Sequence, residues 1–292
     1  MIHGIVPPIP TPLTPDEDID VEATRRLVAL NLDAGVDAIW VHGTTGRFDI
    51  VTVREQVRFA RLVAELVAGR VPLVLNVSEM GTRRVLEKAA LFGDLPYDAY
   101  AVLCPWYQPL LRSHLTDFYN RLADELNKPL LIYNAPWVCN MLSFDHLREL
   151  AEHPRIIGAK DVTNEYTRPL AWPRAEREAL GFSYLIGAPM IAAPAQMGAD
   201  GSVTSLSTVF PELCVAIWKA VKNGDHETAM RGERQFMHLS TALGLGHFMS
   251  CLQVMFRHRG LGDRIVGHPI SPLDDTAAAR VIDIVRESGV LG

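Results

Sequence analysis

The residue with the clearest chemical potential is Lys160, which directly follows the apolar run of residues 156–159. Such a run places the lysine in a largely desolvated setting, and desolvation disfavours the charged form of the side chain. The neutral amine can attack a ketone and form a Schiff base. The alternative is an exposed lysine after a strand, paired with the neighbouring Asp161. The position of Lys160 alone leaves both interpretations open.

Tyr133 favours the first interpretation. It ends the preceding apolar run, residues 129–133, and so belongs to the adjacent predicted strand. A phenol beside an amine can relay the protons that carbinolamine formation and dehydration require. The pair therefore indicates imine chemistry with a ketone.

A second motif, Gly43-Thr44-Thr45-Gly46, follows the apolar run of residues 37–41. The glycines let the backbone approach a ligand closely, and the N–H and hydroxyl groups between them can hold a small anion such as a carboxylate. An ordinary turn is the alternative. The spacing matches neither a P-loop nor a dinucleotide fingerprint. The histidines lack paired spacing with carboxylates or thiols, so we expect no metal site.

The elements that must position these residues are eight short apolar runs separated by amphipathic stretches. Apolar strands separated by helices are typical of a parallel sheet buried on both faces. Eight units favour a closed barrel over an open doubly wound sheet, so we expect an α/β fold, a (β/α)₈ TIM barrel with a C-terminal helical extension. The barrel catalytic domain is predicted at residues 1–222 and a helical segment packed on it at residues 223–292. Chemistry in such a barrel sits where the strands reach their C-terminal loops.

Composition narrows the functional class further. The chain has 292 residues, 48% hydrophobic and 21% charged, with a formal net charge of −6. This balance argues against a nucleic-acid-binding surface. The amino terminus lacks a signal-peptide pattern, and no apolar stretch has the length of a membrane helix. Four scattered cysteines without a CxxC motif suggest reduced thiols, and we expect a cytoplasmic protein.

Taken in order, the motifs resemble those of the dihydrodipicolinate synthase/N-acetylneuraminate lyase family of class I pyruvate-dependent aldolases. The resemblance covers nearly the whole chain, and its order and spacing are highly specific. Its motifs are Pro10-Thr11-Pro12-Leu13, Gly43-Thr44-Thr45-Gly46, Tyr107 before Pro109, Tyr133-Asn134-Ala135-Pro136, Gly158-Ala159-Lys160-Asp161 and Gly198-Ala199-Asp200-Gly201-Ser202.

The resemblance implies a role for each matching residue. Lys160 would be the Schiff-base lysine and Tyr133 the acid/base residue, with Thr44 and Tyr107 completing a proton relay. Tyr107 in such enzymes often reaches across a subunit interface, and the usual assembly is a homotetramer built as a dimer of dimers. No cofactor or metal is implied. The remaining substrate-binding positions are Gly43 and Thr45 at the pyruvate carboxylate, the main-chain carbonyl near Val203, and Trp137, Val138 and Gly187.

Departures from the family pattern bear on the substrate. Enzymes that make dihydrodipicolinate carry an arginine where this chain has Val138, and valine cannot grip a carboxylate. Sialic acid lyases place acidic residues after the seventh strand, where this chain reads Gly187-Ala188-Pro189-Met190. Arg47 replaces the usual glutamate after the glycine-threonine motif. The sequence leaves open whether this change alters ligand binding or only a structural ion pair.

Together these departures suggest an acceptor pocket less polar than in those two relatives, formed by Trp137, Val138, Pro189 and Met190. Trp137 could equally be a packing residue. The sequence therefore predicts a lyase that reversibly cleaves a 2-oxo acid to pyruvate and an aldehyde. The alternatives are a 2-oxo-3-deoxy sugar acid dehydratase with the same imine, 4-hydroxy-tetrahydrodipicolinate synthase, and a non-catalytic ligand-binding barrel. The natural substrate, the stereochemistry and the direction of the reaction are left open.

Overall fold

The structure, a computed structural model, describes residues 1–291. Within these residues the chain forms a single sheet of eight parallel strands. The strands are β1 (Gly4–Ile5), β2 (Ile39–Val41), β3 (Leu73–Asn76), β4 (Ala99–Leu103), β5 (Leu130–Asn134), β6 (Ile156–Asp161), β7 (Ser183–Ile186) and β8 (Gly201–Ser202). Their order in the sheet is β1-β8-β7-β6-β5-β4-β3-β2.

Helices occupy every connection between β1 and β8. They are α1 (Val21–Ala34), α2 (Val53–Val67), α3 (Thr82–Ala90), α4 (Arg112–Glu125), α5 (Phe144–Leu150), α6 (Arg168–Ala171), α7 (Arg174–Ala179) and α8 (Ala192–Gln196). Four more follow β8: α9 (Pro211–Lys222), α10 (His226–Thr241), α11 (Phe248–His258) and α12 (Asp275–Glu287).

The sheet closes on itself. β1 pairs with β8, so the first and last strands are neighbours. On its other side, the chain beyond β1 meets β2 through a bridge at Trp40, whose N–H donates to the Pro7 carbonyl at 3.0 Å. The Ile9 N–H donates in turn to the Trp40 carbonyl at 3.0 Å. The predicted (β/α)₈ barrel is confirmed, as are the helical stretches that follow it.

Alternate strand residues pack on opposite faces of the barrel wall. Trp40, Leu131 and Tyr133 belong to the apolar cluster inside the barrel. Ile132, between two of them, packs outward against the helices. This period of two is that of a pleated strand, and burial on both faces explains why the strands read as continuous apolar runs.

One strand boundary differs from the prediction. The sixth apolar run was expected to end at Ala159, with Lys160 after the strand, but β6 continues through Asp161. Lys160 pairs with Tyr133 on one side and with Leu185 on the other. Ladder pairing therefore carries the strand beyond the apolar residues and fixes the backbone of Lys160.

The four helices α9 to α12 complete the described chain. Helix α10 packs along α9, and α12 packs against α11 and α10. The division of the chain into two domains at residue 222 stays a prediction. Among residues 1–291, no helix combines the length and apolarity needed to cross a bilayer.

Candidate active site

Lys160 projects into the barrel at the C-terminal end of β6, and the residue is only 5% exposed. Its Nζ lies 4.1 Å from the ring centroid of Tyr133 and 5.3 Å from that of Trp40. The register accounts for this contact, because Tyr133 and Lys160 are direct partners in the β5–β6 ladder and leave the sheet on the same face. The structure thus brings the predicted amine against the predicted phenol.

Asp161 points away from Lys160, since successive strand residues face opposite sides. Its Oδ2 accepts a hydrogen bond from Arg168 Nη1 at 2.8 Å and another from the Tyr184 hydroxyl. Burial, with the charge of Asp161 as a second cause, raises the pKa of Tyr184, so this phenol stays protonated and donates. Asp161 is therefore engaged with Arg168 on the outer face and holds the end of β6 in place.

Thr44 reaches Tyr133 from the other side of the barrel mouth. Its Oγ1 lies 3.0 Å from the Tyr133 hydroxyl, and either atom can be the donor. The Tyr133 ring meets Trp40 edge to face at a centroid distance of 5.8 Å. The phenol is thus fixed by packing and by one hydrogen bond, with Thr44 as its link to the pocket.

The turn that carries Thr44 depends on its glycines. A Cβ at Gly46 would lie 2.9 Å from the His42 backbone, and one at Gly43 would lie 3.2 Å from the Trp40 ring. His42 itself is fully buried, which lowers its pKa to about 3, and its Nε2 lies 2.8 Å from the Gln56 carbonyl. A neutral imidazole of this kind ties the turn to α2.

The turn contains two backbone N–H groups without a backbone acceptor in the described part of the chain. Within residues 1–291, the N–H groups of Thr44 and Thr45 donate to no backbone carbonyl. Both residues line the cavity that contains Lys160. Unpaired N–H groups at a tight turn can bind an anion. The carboxylate site expected at Gly43, Thr44 and Thr45 stays a prediction.

The cavity around Lys160, which we call the lysine pocket, has a volume of about 320 Å³. Gly187 lines this pocket. A Cβ at position 187 would lie 3.2 Å from Lys160 Cε and 2.8 Å from Val162 Cγ2. Glycine at this position therefore leaves room for the lysine side chain. The Asn164 amide and a set of hydroxyl and apolar groups form the rest, including Thr204, Ser205, Ser240, Pro189, Val203 and Leu206. As far as the described chain extends, no carboxylate lines this pocket.

A second cavity of about 480 Å³ adjoins the lysine pocket and shares Thr44, Trp137 and Phe248 with it. We call it the acceptor pocket. Val138 also lines it, whereas Pro189 lines the lysine pocket. Three of the four residues predicted to form an apolar acceptor side thus lie on the two cavities. The fourth, Met190, is a half-buried residue packed against the outer core.

Tyr107 lies away from the other three predicted relay residues. Its side chain is 86% exposed, and it lines a shallow depression with Trp106 and Pro136 rather than the lysine pocket. Its backbone φ of +80° turns it outward from the end of β4. A single chain therefore brings together Lys160, Tyr133 and Thr44 without Tyr107.

The C-terminal helices contribute walls that the sequence did not reveal. Three residues of this region line the lysine pocket: Ser240 of α10, Leu243 in the segment between α10 and α11, and Phe248 of α11. Phe248 also lines the acceptor pocket. These residues belong to amphipathic stretches with the ordinary pattern of core-facing helices, so no local signal marked them. Across residues 1–291, no cluster of His, Cys, Asp and Glu has the geometry to hold a metal ion.

Sequence comparison finds relatives along the whole chain. An uncharacterized DapA-like lyase from Halobacterium salinarum is 29% identical over 99% of this chain and 95% of its own length. A 4-hydroxy-tetrahydrodipicolinate synthase from Phenylobacterium zucineum is 26% identical over 100% of this chain and 99% of its own.

Solved structures match the fold over the same length. YagE of E. coli K12, a prophage protein of the dihydrodipicolinic acid synthase family crystallised with pyruvate, superposes with a TM-score of 0.93 at 23% identity, covering 99% of each chain. CdNal from Clostridium difficile, crystallised with mannosamine, gives a TM-score of 0.89 at 22% identity, again covering 99% of each chain.

The family model described as the dihydrodipicolinate synthetase family matches residues 1–288. This match spans the barrel and all four C-terminal helices. The resemblance inferred from the motifs is confirmed. The chain belongs to the dihydrodipicolinate synthetase family.

Proposed function

We propose that the chain is a class I lyase that forms an imine between Lys160 and a 2-oxo acid and reversibly cleaves that acid to pyruvate and an aldehyde. One observation carries the proposal: the Lys160 amine packs on the Tyr133 ring, whose hydroxyl is 3.0 Å from Thr44 Oγ1. A nucleophilic amine and a phenol linked to a hydroxyl are the groups that imine formation requires. Family membership supports the same class of chemistry.

The first half of the reaction forms the imine. The Lys160 amine attacks the keto carbon, and Tyr133 passes protons to and from the carbinolamine until water leaves. The product is a protonated imine that can accept an electron pair from the adjacent carbon. This electron sink belongs to the substrate adduct itself, so the chemistry needs no cofactor or metal.

The second half breaks the C3–C4 bond. Tyr133, acting through its contact with Thr44, takes the proton of the C4 hydroxyl as that carbon becomes an aldehyde. The bonding electrons move to C3 and form an enamine, which is then protonated at C3. Hydrolysis of the resulting imine releases pyruvate and restores the Lys160 amine, and the reverse sequence is an aldol addition.

The substrate carboxylate binds at the turn in this proposal. Thr44 and Thr45 line the lysine pocket, their N–H groups donate to no backbone carbonyl within residues 1–291, and no carboxylate among the described residues competes there. Gly43 lets the turn pack closely on the Trp40 ring, and Val203 also lines the lysine pocket. This anchoring holds the keto carbon within reach of Lys160.

Release of free pyruvate tests the lyase against its rivals. Purified protein is incubated with a panel of 4-hydroxy-2-oxo acids, and pyruvate is followed with lactate dehydrogenase and NADH. We expect stoichiometric pyruvate and aldehyde, because C3–C4 cleavage forms both. A dehydratase would consume a sugar-derived 2-oxo acid without releasing pyruvate, and a binding barrel would consume nothing. Val138 makes the synthase alternative the weaker one, since it cannot hold the second carboxylate.

We also propose a homo-oligomer, a homotetramer by family resemblance, in which Tyr107 enters the relay of a partner subunit. Tyr107, Leu111 and Met141 are 86%, 67% and 54% exposed, which is unusual for three large neighbouring apolar side chains. Asn140 holds the segment that carries Tyr107 and Leu111 to the loop that carries Met141. Its side-chain amide donates to the Pro105 carbonyl at 2.6 Å and to the Gln108 carbonyl at 2.8 Å. A rigid apolar surface of this kind suits a subunit interface.

Hybrid oligomers test this exchange. Tyr107→Phe and Lys160→Ala are each expected to be nearly inactive alone. When the two variants are unfolded together and refolded, part of the activity should return, because a mixed pair contains one site with both Lys160 and Tyr107 intact. Absence of any recovery, with mixed oligomers confirmed by native mass spectrometry, would place Tyr107 outside the partner's site.

A further inference from the structure

The acceptor pocket contains an arginine whose hydrogen bonding is incomplete. Arg47 is 3% exposed and lines this pocket. Its Nε and Nη2 each donate to a carboxylate oxygen of Asp49 at 3.0 Å. The remaining nitrogen, Nη1, is buried and has no hydrogen-bond partner within residues 1–291. A buried charged donor without a partner is costly. Nη1 is closed off from solvent, so an acceptor supplied by a ligand reaches it once the side chains that cover it shift.

The geometry of Arg47 is set by the turn it ends. Its backbone adopts a left-handed φ of +57°, and its N–H donates to the Thr44 carbonyl at 3.2 Å. The ion pair with Asp49 holds the guanidinium in one orientation, using one edge of the planar group. The opposite edge carries Nη1. Arg47 is therefore a preorganised donor rather than a mobile surface side chain.

The other carboxylate of the acceptor pocket is already paired. Glu79 receives Arg84 Nη2 at 3.0 Å and lies 3.6 Å from Lys88 Nζ. His247 faces the same cavity, and burial, followed by the positive charge of Arg47, lowers its pKa, so that this imidazole is neutral at pH 7. Of the two carboxylates that line the pocket, Glu79 is engaged with Arg84 and Lys88. Asp49 is paired with Arg47 itself through Nε and Nη2, which leaves Nη1 as the unpaired nitrogen of Arg47 in the described part of the chain.

The rest of the acceptor pocket is aromatic and apolar. Phe48 and Trp106 meet edge to face at a centroid distance of 6.0 Å, and Trp137, Phe248 and Ile270 complete the walls. Flat apolar walls of this kind favour a ring or another rigid apolar body over a polyhydroxylated chain. Because Thr44, Trp137 and Phe248 also line the lysine pocket, a substrate with its keto carbon at Lys160 can extend directly into this space.

We propose that the aldehyde half of the substrate is an aromatic or similarly flat apolar body carrying an anionic oxygen group, and that Arg47 Nη1 binds this group. The inference rests on the proposed lyase function and names its acceptor. It assigns to Arg47 the selection of the substrate, at a position where the family pattern has a glutamate. Val138 removes the usual anion contact, and Arg47 supplies another from a different wall.

The experiment compares matched aldehydes in pyruvate-dependent condensation. The 2-, 3- and 4-carboxybenzaldehydes are each paired with the methylbenzaldehyde of the same substitution, and glyceraldehyde represents the polyhydroxy class. We expect the best carboxybenzaldehyde to exceed its methyl partner in kcat/KM by at least about tenfold, the scale of one hydrogen bond to a charged group. Glyceraldehyde should be the poorer substrate.

Variants of Arg47 identify the residue responsible. Arg47→Gln should abolish the preference for the carboxyl group, and Arg47→Lys should restore part of it, because charge returns without the planar donor. Arg83→Gln is the matched control, since Arg83 is an exposed residue of α3 paired with Glu87, and its preference should equal that of the wild type. The measured quantity is a ratio between two aldehydes, so a general loss of activity does not imitate the effect.

Two results would overturn the inference while leaving the lyase intact. One is wild-type protein that traps pyruvate with borohydride but prefers glyceraldehyde or treats each carboxyl and methyl pair alike. The other is an Arg47→Gln protein that keeps the wild-type ratio. Failure to trap pyruvate at all would instead overturn the proposed function.

Discussion

Replacing Lys160 with alanine should lower kcat/KM for pyruvate release by at least about 10⁴-fold, as expected when a covalent nucleophile is removed. Without the ε-amine no imine forms, and the electron sink for C–C cleavage is lost. Folding should be preserved, because the side chain borders an open cavity and makes its close contacts with the faces of two rings. Steady-state kinetics on a 4-hydroxy-2-oxo acid measure the loss, and circular dichroism checks the fold.

Lys160→Arg is the matched control for charge. Arginine keeps a cation in the pocket but does not lose its proton in proteins, so it cannot supply the free amine. We expect it to be as inactive as the alanine variant. Substantial activity in Lys160→Arg would show that the lysine acts through its charge, as an electrostatic anchor, and would contradict the imine mechanism.

Replacing Tyr133 with phenylalanine should lower kcat by about 10²- to 10⁴-fold, the usual range for a general acid–base residue. The ring remains and so do its packing on Trp40 and its contact with Lys160, which isolates the hydroxyl. Imine formation should slow as well, since carbinolamine dehydration needs the same proton transfers. Stopped-flow measurement of imine formation and steady-state kinetics together give both effects.

Thr44→Val separates positioning from proton transfer. It keeps the shape of Thr44 and removes only the oxygen that lies 3.0 Å from the Tyr133 hydroxyl. A smaller loss than in Tyr133→Phe is expected, because the phenol is still present. Equal losses in the two variants would mean that the hydroxyl pair works as one unit. A Tyr133→Phe protein with normal kcat would remove Tyr133 from the chemistry.

Much of the site could be predicted because strand order fixes neighbours in a parallel barrel. Tyr133 and Lys160 end consecutive apolar runs, and consecutive strands pair in register, so their proximity follows from the fold. The Thr44 turn lies at the same barrel mouth for the same reason. The alternation of side chains along β6 also places Lys160 inside the barrel and Asp161 outside. The apolar pattern did not predict that β6 extends through Asp161.

The features of the site that the sequence did not predict depend on contacts between distant parts of the chain. Phe248 lies 88 residues after Lys160 in an ordinary amphipathic helix, and only the packing of α11 over the barrel brings it to the pocket. The direction of the Arg47 guanidinium depends on a left-handed backbone and on Asp49, which a motif does not encode. Tyr107 is 86% exposed and lies away from the lysine pocket, so the relay role proposed for it depends on the proposed partner subunit.

Borohydride trapping with pyruvate tests the central claim most directly. The account predicts one reduced pyruvyl group per chain, located by peptide mapping at Lys160 and lost in Lys160→Ala. Lys88 is an internal control, because burial lowers its pKa, yet it lies 3.6 Å from Glu79 and outside the lysine pocket. An unmodified protein, or an adduct on Lys88 in place of Lys160, would contradict the account.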